Sequence, residues 1–261
     1  MTTVRAPAVA GLFYPGNAVE LKQMVDGYLA EVADSNPPPK AIIAPHAGYI
    51  YSGPIAASAY ATLGAVREQI SRVVLLGPAH RVPLEGLAVS SADKFRTPLG
   101  DVPLDREAID RALALPQVRV MDAAHALEHS LEVQIPFLQE ALDHFTLAPF
   151  VVGEASAEEV AQVLELLWGG PETLIVISSD LSHYHDYETA RAMDSATSQA
   201  IVELRPEAIH YGQACGRNPV NGLLSLARRH GLHGHILDLR NSGDTAGPRD
   251  QVVGYGAYVF Y

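Results

Sequence analysis

Histidines follow three short apolar segments of the chain that have the composition of buried strands. These segments and the polar residues after them are Ala41–Ala44 with His46, Arg72–Leu76 with His80, and Thr173–Ser178 with Asp180 and His183. In open α/β sheets, ligands bind beyond the carboxyl ends of the strands. We therefore expect the three strands to bring these imidazoles to one edge of the sheet. Because imidazole can bind a metal or transfer a proton near neutral pH, the pattern indicates a functional site.

Cys215 is the single cysteine of the chain and precedes a predicted helix that begins at Pro219. In one interpretation it is a small buried apolar side chain. In a second, the helix N-terminus acidifies the thiol, which acts as a nucleophile with a histidine and an aspartate. In a third, the thiolate completes a metal site with two imidazoles. The flanking Gly216 permits the close backbone approach that both functional interpretations need, and the residue types leave all three open.

His129 lies between Glu128 and Glu132 at the start of a predicted helix. The two glutamates are four residues apart and share a helix face, so they could form an acid–base cluster with His129. A solvated helix start, with acidic side chains near its positive end, gives the same pattern. The spacing leaves both interpretations open.

Several function classes are excluded by composition and by missing motifs. The chain has 261 residues and a formal net charge of −12, which argues against binding to nucleic acid or to an anionic membrane surface. It contains no Gly-x-Gly-x-x-Gly fingerprint, no P-loop and no Gly-x-Ser-x-Gly elbow. Nucleotide binding and serine hydrolase chemistry therefore have no support.

The compartment is predicted from cysteine use and from the first residues. A single cysteine forbids an intrachain disulfide and fits a reducing compartment, and the sequence from Met1 lacks the apolar core of a signal peptide. The stretch from Ala41 to Val66 has no charged residue, but Pro45 and Pro54 interrupt it. We expect a cytoplasmic protein without a membrane span.

Helical and strand patterns alternate along the chain. Helices are predicted over Asn17–Val32, Pro54–Leu63, from Asp105, and over Ser130–Leu142, Ser156–Trp168, Thr189–Leu204 and Pro219–His230. Further strands are predicted over Gly86–Ser90, Leu147–Val152, Ile236–Arg240 and Val252–Tyr261, with a turn at Thr97–Asp101. This order predicts a single α/β domain over residues 1–261, with a mainly parallel central sheet and helices on both faces.

The chain resembles the Memo family over nearly its whole length, because its motifs occur in the order typical of that family. These motifs are Pro7–Pro15, Ala44–Tyr49, Leu76–His80, Glu128–Phe137, Ser179–Tyr184, Ala214–Pro219 and Asn241–Thr245. Bacterial and archaeal members are often called AmmeMemoRadiSam system protein B.

The resemblance implies a fold similar to the catalytic subunits of class III extradiol dioxygenases, which hold non-haem Fe(II) with two histidines and one carboxylate. His46 and His80 match the two histidine ligands, and Cys215 takes the place of the carboxylate. His183 resembles the acid–base histidine of those enzymes, and His129 resembles another pocket histidine. Because a thiolate is softer than a carboxylate, copper is the alternative to Fe(II).

Three hypotheses about function follow. In the first, the protein is a mononuclear iron or copper oxidoreductase that acts on a small phenolic molecule, with His183 as proton shuttle oriented by Asp180. In the second, the cleft is non-catalytic and binds a peptide or small ligand; here the family name implies radical S-adenosylmethionine and AMMECR-type partners in a shared pathway. In the third, Cys215 and a histidine form a hydrolase.

Overall fold

The computed structural model describes residues 2–33 and 37–261 of the chain. The strands, in chain order, are β1 (Val4–Arg5), β2 (Ala41–Ala44), β3 (Arg72–Pro78), β4 (Leu87–Val89), β5 (Lys94–Thr97), β6 (Gly100–Pro103), β7 (Val118–Val120), β8 (Thr146–Val152), β9 (Thr173–Ser178), β10 (His183–His185), β11 (Gly234–Asn241) and β12 (Val252–Phe260). The α-helices are α1 (Ala18–Ala30), α2 (Tyr49–Tyr60), α3 (Arg106–Ala112), α4 (Asp122–Ala126), α5 (Ile135–Ala141), α6 (Ala157–Leu166), α7 (Tyr187–Val202) and α8 (Arg217–His230).

The centre of the molecule is a nine-stranded sheet flanked by helices. Its four middle strands run parallel in the order β2, β9, β3 and β8. Nearly every residue of these strands is buried, as in a parallel sheet that is covered on both faces. The α/β fold expected from the sequence is therefore confirmed.

Antiparallel strands extend this parallel centre on both sides. β12 pairs antiparallel with β2, and both β10 and β11 pair antiparallel with β12. On the other side, β4 pairs antiparallel with β8 and carries β7 at the edge. The connection between β11 and β12 is too short for the helical crossover that parallel strands need, so these strands pair antiparallel.

Most helix ends form where their capping residues predict. The Asn17 side chain accepts the N–H groups of the first turn of α1, and Ser156 and Glu159 form a complete capping box on α6. Gly231 ends α8 with a left-handed φ of 68°, a conformation that glycine adopts without steric cost. Pro136 lies in the first turn of α5, where a helix tolerates a proline.

The predicted start of one helix was wrong. α2 begins at Tyr49 rather than Pro54, because the burial of Tyr49 and Ile55 on either side of the proline holds the helix together. The predicted turn at Thr97–Asp101 is confirmed, and it forms the tip of a hairpin whose strands, β5 and β6, the sequence did not predict. The charged composition of these two strands gave no apolar pattern to recognise.

In the part of the chain that the structure describes, no helix has both the length and the apolar character needed to cross a bilayer.

Candidate metal centre

The register of the parallel strands brings the predicted site residues together. β9 lies between β2 and β3, with Ala44 opposite Ser178 and Ile177 opposite Leu76. The chain leaves all three strands at the same edge of the sheet. His46, His80 and Asp180 follow within two residues of these strand ends and therefore lie side by side, as the sequence predicts.

The His46 imidazole is buried and has one defined proton position. Its Nδ1 lies 2.8 Å from Ser178 Oγ, and this hydroxyl donates its own hydrogen to the Ser130 carbonyl oxygen at 2.6 Å. Ser178 Oγ can therefore only accept from His46, so Nδ1 carries the hydrogen. The Gln134 amide donates to the same hydroxyl at 2.8 Å. This chain of hydrogen bonds leaves the Nε2 lone pair of His46 free to bind a ligand.

The His80 imidazole is fixed in the same tautomer by Glu128. Nδ1 of His80 lies 2.9 Å from Glu128 Oε1, and the backbone N–H of His80 donates to Oε2 at 2.6 Å. The backbone N–H groups of His129 and Ser130 also donate to Oε1, each at 2.9 Å. Burial raises the pKa of Glu128, but its bonds to His80 and to the backbone outweigh burial and lower it to about 2. The ionised carboxylate accepts the Nδ1 hydrogen, so Nε2 is the ring nitrogen of His80 that is left for a ligand.

Cys215 reaches this site from the loop that leads into α8. Its Sγ lies 3.3 Å from Nε2 of His46 and accepts the backbone N–H of Asp180 at 3.3 Å. A Cβ on the next residue, Gly216, would lie 2.7 Å from the carbonyl oxygen of Ser178. Only glycine permits this approach, which brings the start of α8 against the end of β9.

The three residues predicted to be metal ligands form one cluster. One ligand atom each from His46, His80 and Cys215 lies within 4.8 Å of the others. Burial, followed by the nearby His80 and His129, holds the pKa of His46 well below its usual value. Burial, followed by the Asp180 carboxyl, raises the pKa of the Cys215 thiol. In the absence of a cation, the helix N-terminus therefore does not acidify the thiol, contrary to the second interpretation of Cys215.

His129 also lies at this site, packed against the ligand candidates. Its ring stacks on His80 with centroids 4.7 Å apart and meets the edge of His46 at 5.5 Å. Phe13 covers its outer side at 4.8 Å. Burial lowers the pKa of His129 to about 4, and its Nδ1 is buried without a hydrogen-bond partner among the described residues. Of the acid–base cluster that the sequence left open, Glu128 lies beside His129, with its Oε1 3.5 Å from Nδ1, whereas Glu132 pairs with Arg5.

His183 faces the site without joining the cluster, and Asp180 does not orient it. Nδ1 of His183 lies 2.9 Å from the carbonyl oxygen of Leu181, so Nδ1 carries the hydrogen. Asp180 instead accepts the backbone N–H of His46 at 2.7 Å, and its Oδ2 lies 4.0 Å from Nε2 of His46. The expected pairing of His183 with Asp180 is therefore wrong. Burial raises the pKa of Asp180 to about 7, against the effect of this hydrogen bond.

The cluster opens into a cleft of about 710 Å³. His80, His183, His185 and Cys215 are among the residues that line it. Burial lowers the pKa of His183, with a smaller effect from His80. A neutral imidazole whose Nδ1 is occupied offers Nε2 as a proton acceptor to a molecule in the cleft.

Sequence reasoning missed the residues that hold the ligands in place. Gln134 lies within the Glu128–Phe137 motif, but neither its residue type nor that of Ser178 indicated a role, because both roles depend on contacts between distant segments. Glu128 and Glu132 were treated as one pair, but they do different things. Glu132 is buried and forms an ion pair with Arg5. The Glu-His-Ser-Leu-Glu motif was the signal from which the role of Glu128 could have been found.

Comparison with known proteins identifies the family of this chain. A family model described as Memo-like protein matches residues 5–259. A MEMO1 family protein of Aquifex aeolicus strain VF5 is 38% identical over 268 residues, covering 98% of this chain and 99% of the relative. A MEMO1 family protein of Ignicoccus hospitalis is 36% identical over 283 residues, covering 98% of each chain.

A solved structure shares the fold at low sequence identity. The crystal structure of an uncharacterized protein from Escherichia coli K12 has a TM-score of 0.53 and 16% identity, covering 84% of this chain and 98% of that one. At this identity the similarity concerns the fold alone. The sequence relatives and the family model span almost the whole chain, and on that evidence the chain belongs to the Memo-like protein family.

Proposed function

We propose that this protein binds one transition-metal ion through His46, His80 and Cys215 and uses it for redox chemistry on a small molecule in the cleft. The observation that supports this most directly is the shared state of the two imidazoles. Both have Nδ1 occupied by a buried acceptor, so both present Nε2, and the donor atoms of all three residues lie within 4.8 Å.

The donor set fits the proposed ion. Two imidazole nitrogens and one sulfur suit iron or copper better than they suit magnesium or calcium, which prefer oxygen ligands. The backbone N–H of Asp180 is directed at Sγ of Cys215 and would stabilise the negative charge of a bound thiolate. A bound Fe(II), or copper as the alternative, would supply one-electron chemistry that no side chain of the chain provides.

The remaining residues would handle the substrate and its proton. His183 presents a basic Nε2 to the cleft and can accept the proton of a substrate hydroxyl, such as that of a phenol. His129, stacked on His80, is the second imidazole within reach of this region. Asp180 holds the loop of His46 by its backbone N–H and thereby positions one ligand.

A thiol hydrolase has less support from the same geometry. Such an enzyme needs free backbone N–H groups to stabilise an oxyanion near its nucleophile. The N–H of Cys215 donates to the carbonyl of Asp180 at 3.2 Å, and the N–H of Gly216 donates to Ser179 Oγ at 3.0 Å. Both donors beside the thiol are therefore occupied within the protein.

Metal analysis tests the proposal. Protein purified and reconstituted without oxygen should contain about one iron or copper atom per chain by elemental mass spectrometry. His46→Ala and His80→Ala should lose this metal while keeping the circular dichroism spectrum of the folded protein. His185→Ala is the matched control, since this imidazole lines the same cleft outside the cluster. Wild-type occupancy in His46→Ala and His80→Ala would contradict the proposal, and so would a site that accepts only zinc.

A further inference from the structure

We infer that the molecule bound in the cleft carries an anionic oxygen group, a carboxylate or a phosphate, and that Arg217 binds this group. The inference rests on the proposed function only in taking the cleft as the substrate site. It concerns the wall of the cleft on the side of α8, outside the metal cluster.

Arg217 is the first residue of α8 and lies two positions after Cys215. Its Nε donates to Asn218 Oδ1 at 3.3 Å, and the Asn218 amide in turn donates to the Gly153 carbonyl oxygen at 2.8 Å. The two terminal nitrogens of the guanidinium have no acceptor among residues 2–33 and 37–261. The Nε end of the guanidinium is therefore held in place, while its two terminal nitrogens are left for a ligand.

Arg217 is one of the arginines of this chain that lack a carboxylate partner. Acidic residues outnumber basic ones 30 to 18, and many arginines have such a partner, as Arg72 has in Asp105 and Arg240 in Asp238. Arg217 is half-buried and its guanidinium lies over the Tyr211 ring, 5.9 Å from the centroid, but it forms no ion pair within the part of the chain that the structure describes. An anionic partner would offset the hydration that the guanidinium loses on burial.

The acidic residues nearby do not supply this partner. Glu85 and Glu154 line the same cleft, but both are exposed and neither lies within 4.0 Å of the guanidinium. A second hollow of about 530 Å³ adjoins the cleft, and Glu85, Glu154, Arg217 and Asn218 line both. Arg217 therefore lies where the two hollows meet.

The chemistry of the guanidinium defines the ligand class. Its planar donors match a carboxylate or a phosphate through two parallel hydrogen bonds. Arg81 lines the same cleft and also has no ion pair among the described residues, which adds positive charge on the His80 side. An anion would pair with these donors, whereas a neutral ligand would leave them to water, and so we expect the cleft to prefer an anion.

Nuclear magnetic resonance titration of the metal-free protein tests the inference with simple probes. Inorganic phosphate, benzoate and benzyl alcohol are added at constant ionic strength, and the backbone amides of Gly153 and Asn218 are followed. Phosphate or benzoate should give saturating shifts, whereas benzyl alcohol should give none. The tighter of the two anions shows whether the site suits a phosphate or a carboxylate.

Variants decide whether Arg217 is responsible. Arg217→Gln should weaken anion binding by about ten- to a hundredfold, as expected for a lost charge-assisted hydrogen bond. Arg217→Lys keeps the charge but not the planar pair of donors, and its affinity for the anion should fall between those of the wild type and Arg217→Gln. Glu85→Gln should bind anions at least as tightly as the wild type. The inference is overturned if neither anion gives a saturating shift, if benzyl alcohol binds equally well, or if Arg217→Gln keeps the wild-type affinity.

The two proposals can fail separately. Metal content is measured on the same Arg217→Gln protein and should equal that of the wild type. If the wild type binds no metal, the proposed function fails while the anion titration stands. If metal binds normally but no anion does, only the role of Arg217 is wrong.

Discussion

Nδ1 of His80 lies 2.9 Å from Oε1 of Glu128, a residue 48 positions away in the chain. Glu128 is 2% exposed and is locked by three backbone N–H groups, so it cannot turn away from the imidazole. A carboxylate in this position fixes the tautomer of a metal-binding histidine and raises its basicity. Glu128 therefore positions Nε2 of His80, the nitrogen that we propose as a metal ligand.

Glu128→Gln is expected to weaken metal binding by about 10–100-fold, the usual effect of losing such a partner. The amide keeps the size of the side chain but lacks the negative charge that holds the Nδ1 hydrogen. Competition with a chromophoric chelator measures the affinity, and circular dichroism reports whether the fold is kept.

Glu132→Gln is the matched control from the same motif. Glu132 is buried against Arg5 and accepts the backbone N–H of Val9 at 2.9 Å. Breaking this buried pair should lower the free energy of unfolding by about 3–5 kcal/mol with little change in metal affinity. Equal losses of metal affinity in both variants would show that Glu128 acts on overall stability and not on His80.

His183→Ala should keep the metal and lose turnover. The imidazole lies outside the ligand cluster, and a general acid–base contributes roughly 10²–10⁴-fold to a rate. Oxygen consumption in a screen of phenolic and carboxylate-bearing compounds provides the assay, and elemental analysis gives the metal content of the same sample.

His183→Gln distinguishes proton transfer from simple hydrogen bonding, because glutamine does not titrate near neutral pH. It should be nearly as inactive as His183→Ala. Loss of metal in either variant would make His183 a ligand, and unchanged turnover in both would transfer the proton role to His129.

The buried imidazole of His125 should make the stability of the fold sensitive to acid. Burial lowers the pKa of this imidazole from 6.5 to about 4, and its Nε2 donates to the Ala88 carbonyl oxygen at 3.0 Å. The unfolded chain binds a proton more readily than the folded one between these values. The contribution of His125 to stability is therefore complete above pH 6.5 and is lost as the pH falls toward 4, by on the order of 3 kcal/mol.

Thermal unfolding followed from pH 7 to pH 4 checks this expectation. His125→Gln can keep a hydrogen bond to Ala88 but cannot take up a proton. Its melting temperature should fall less steeply with acid than that of the wild type. Parallel curves for the two proteins would show that His125 does not contribute to the acid sensitivity.

Gly254→Ala is expected to disturb the loop of His183. A Cβ at this position would lie 1.9 Å from Oδ2 of Asp194, which is buried and accepts the Ser182 N–H at 3.0 Å. Overpacking of this kind costs about 1–3 kcal/mol. Gly27→Ala in α1 is the control: no atom lies within 4 Å of the added methyl group, and the helix should gain about 0.5–1 kcal/mol. Denaturant unfolding measures both, and a Gly254→Ala protein as stable as the wild type would contradict this packing.

The parts of the fold that the sequence predicts well are those with strong local patterns. β2 and β9 have the predicted ends because each is an uninterrupted apolar run between breaking residues. β5 and β6 were not predicted, because these short strands outside the main sheet carry charged side chains and show no clear alternation of apolar and polar residues. Their pairing is decided by tertiary contacts, among them the parallel pairing of β1 with β5.

The candidate site shows the same division. His46 and His80 could be placed on one edge because strand ends of a parallel sheet share that edge. The hydrogen bond of His183 to the Leu181 carbonyl oxygen could not be predicted. It depends on the local path of the backbone, in which Tyr184 adopts a left-handed φ of 62° that no sequence pattern indicates. The approach of Cys215 to His46 joins residues 169 positions apart and depends on the close packing of α8 against β9.

X-ray absorption spectroscopy of the iron-loaded protein tests the proposed metal site, because it identifies the atoms bound to the metal. We expect imidazole nitrogens and one sulfur around the iron, with the sulfur contribution absent in Cys215→Ser. A wild-type spectrum without sulfur, or one that is unchanged in Cys215→Ser, would contradict the assignment of His46, His80 and Cys215 as the metal site.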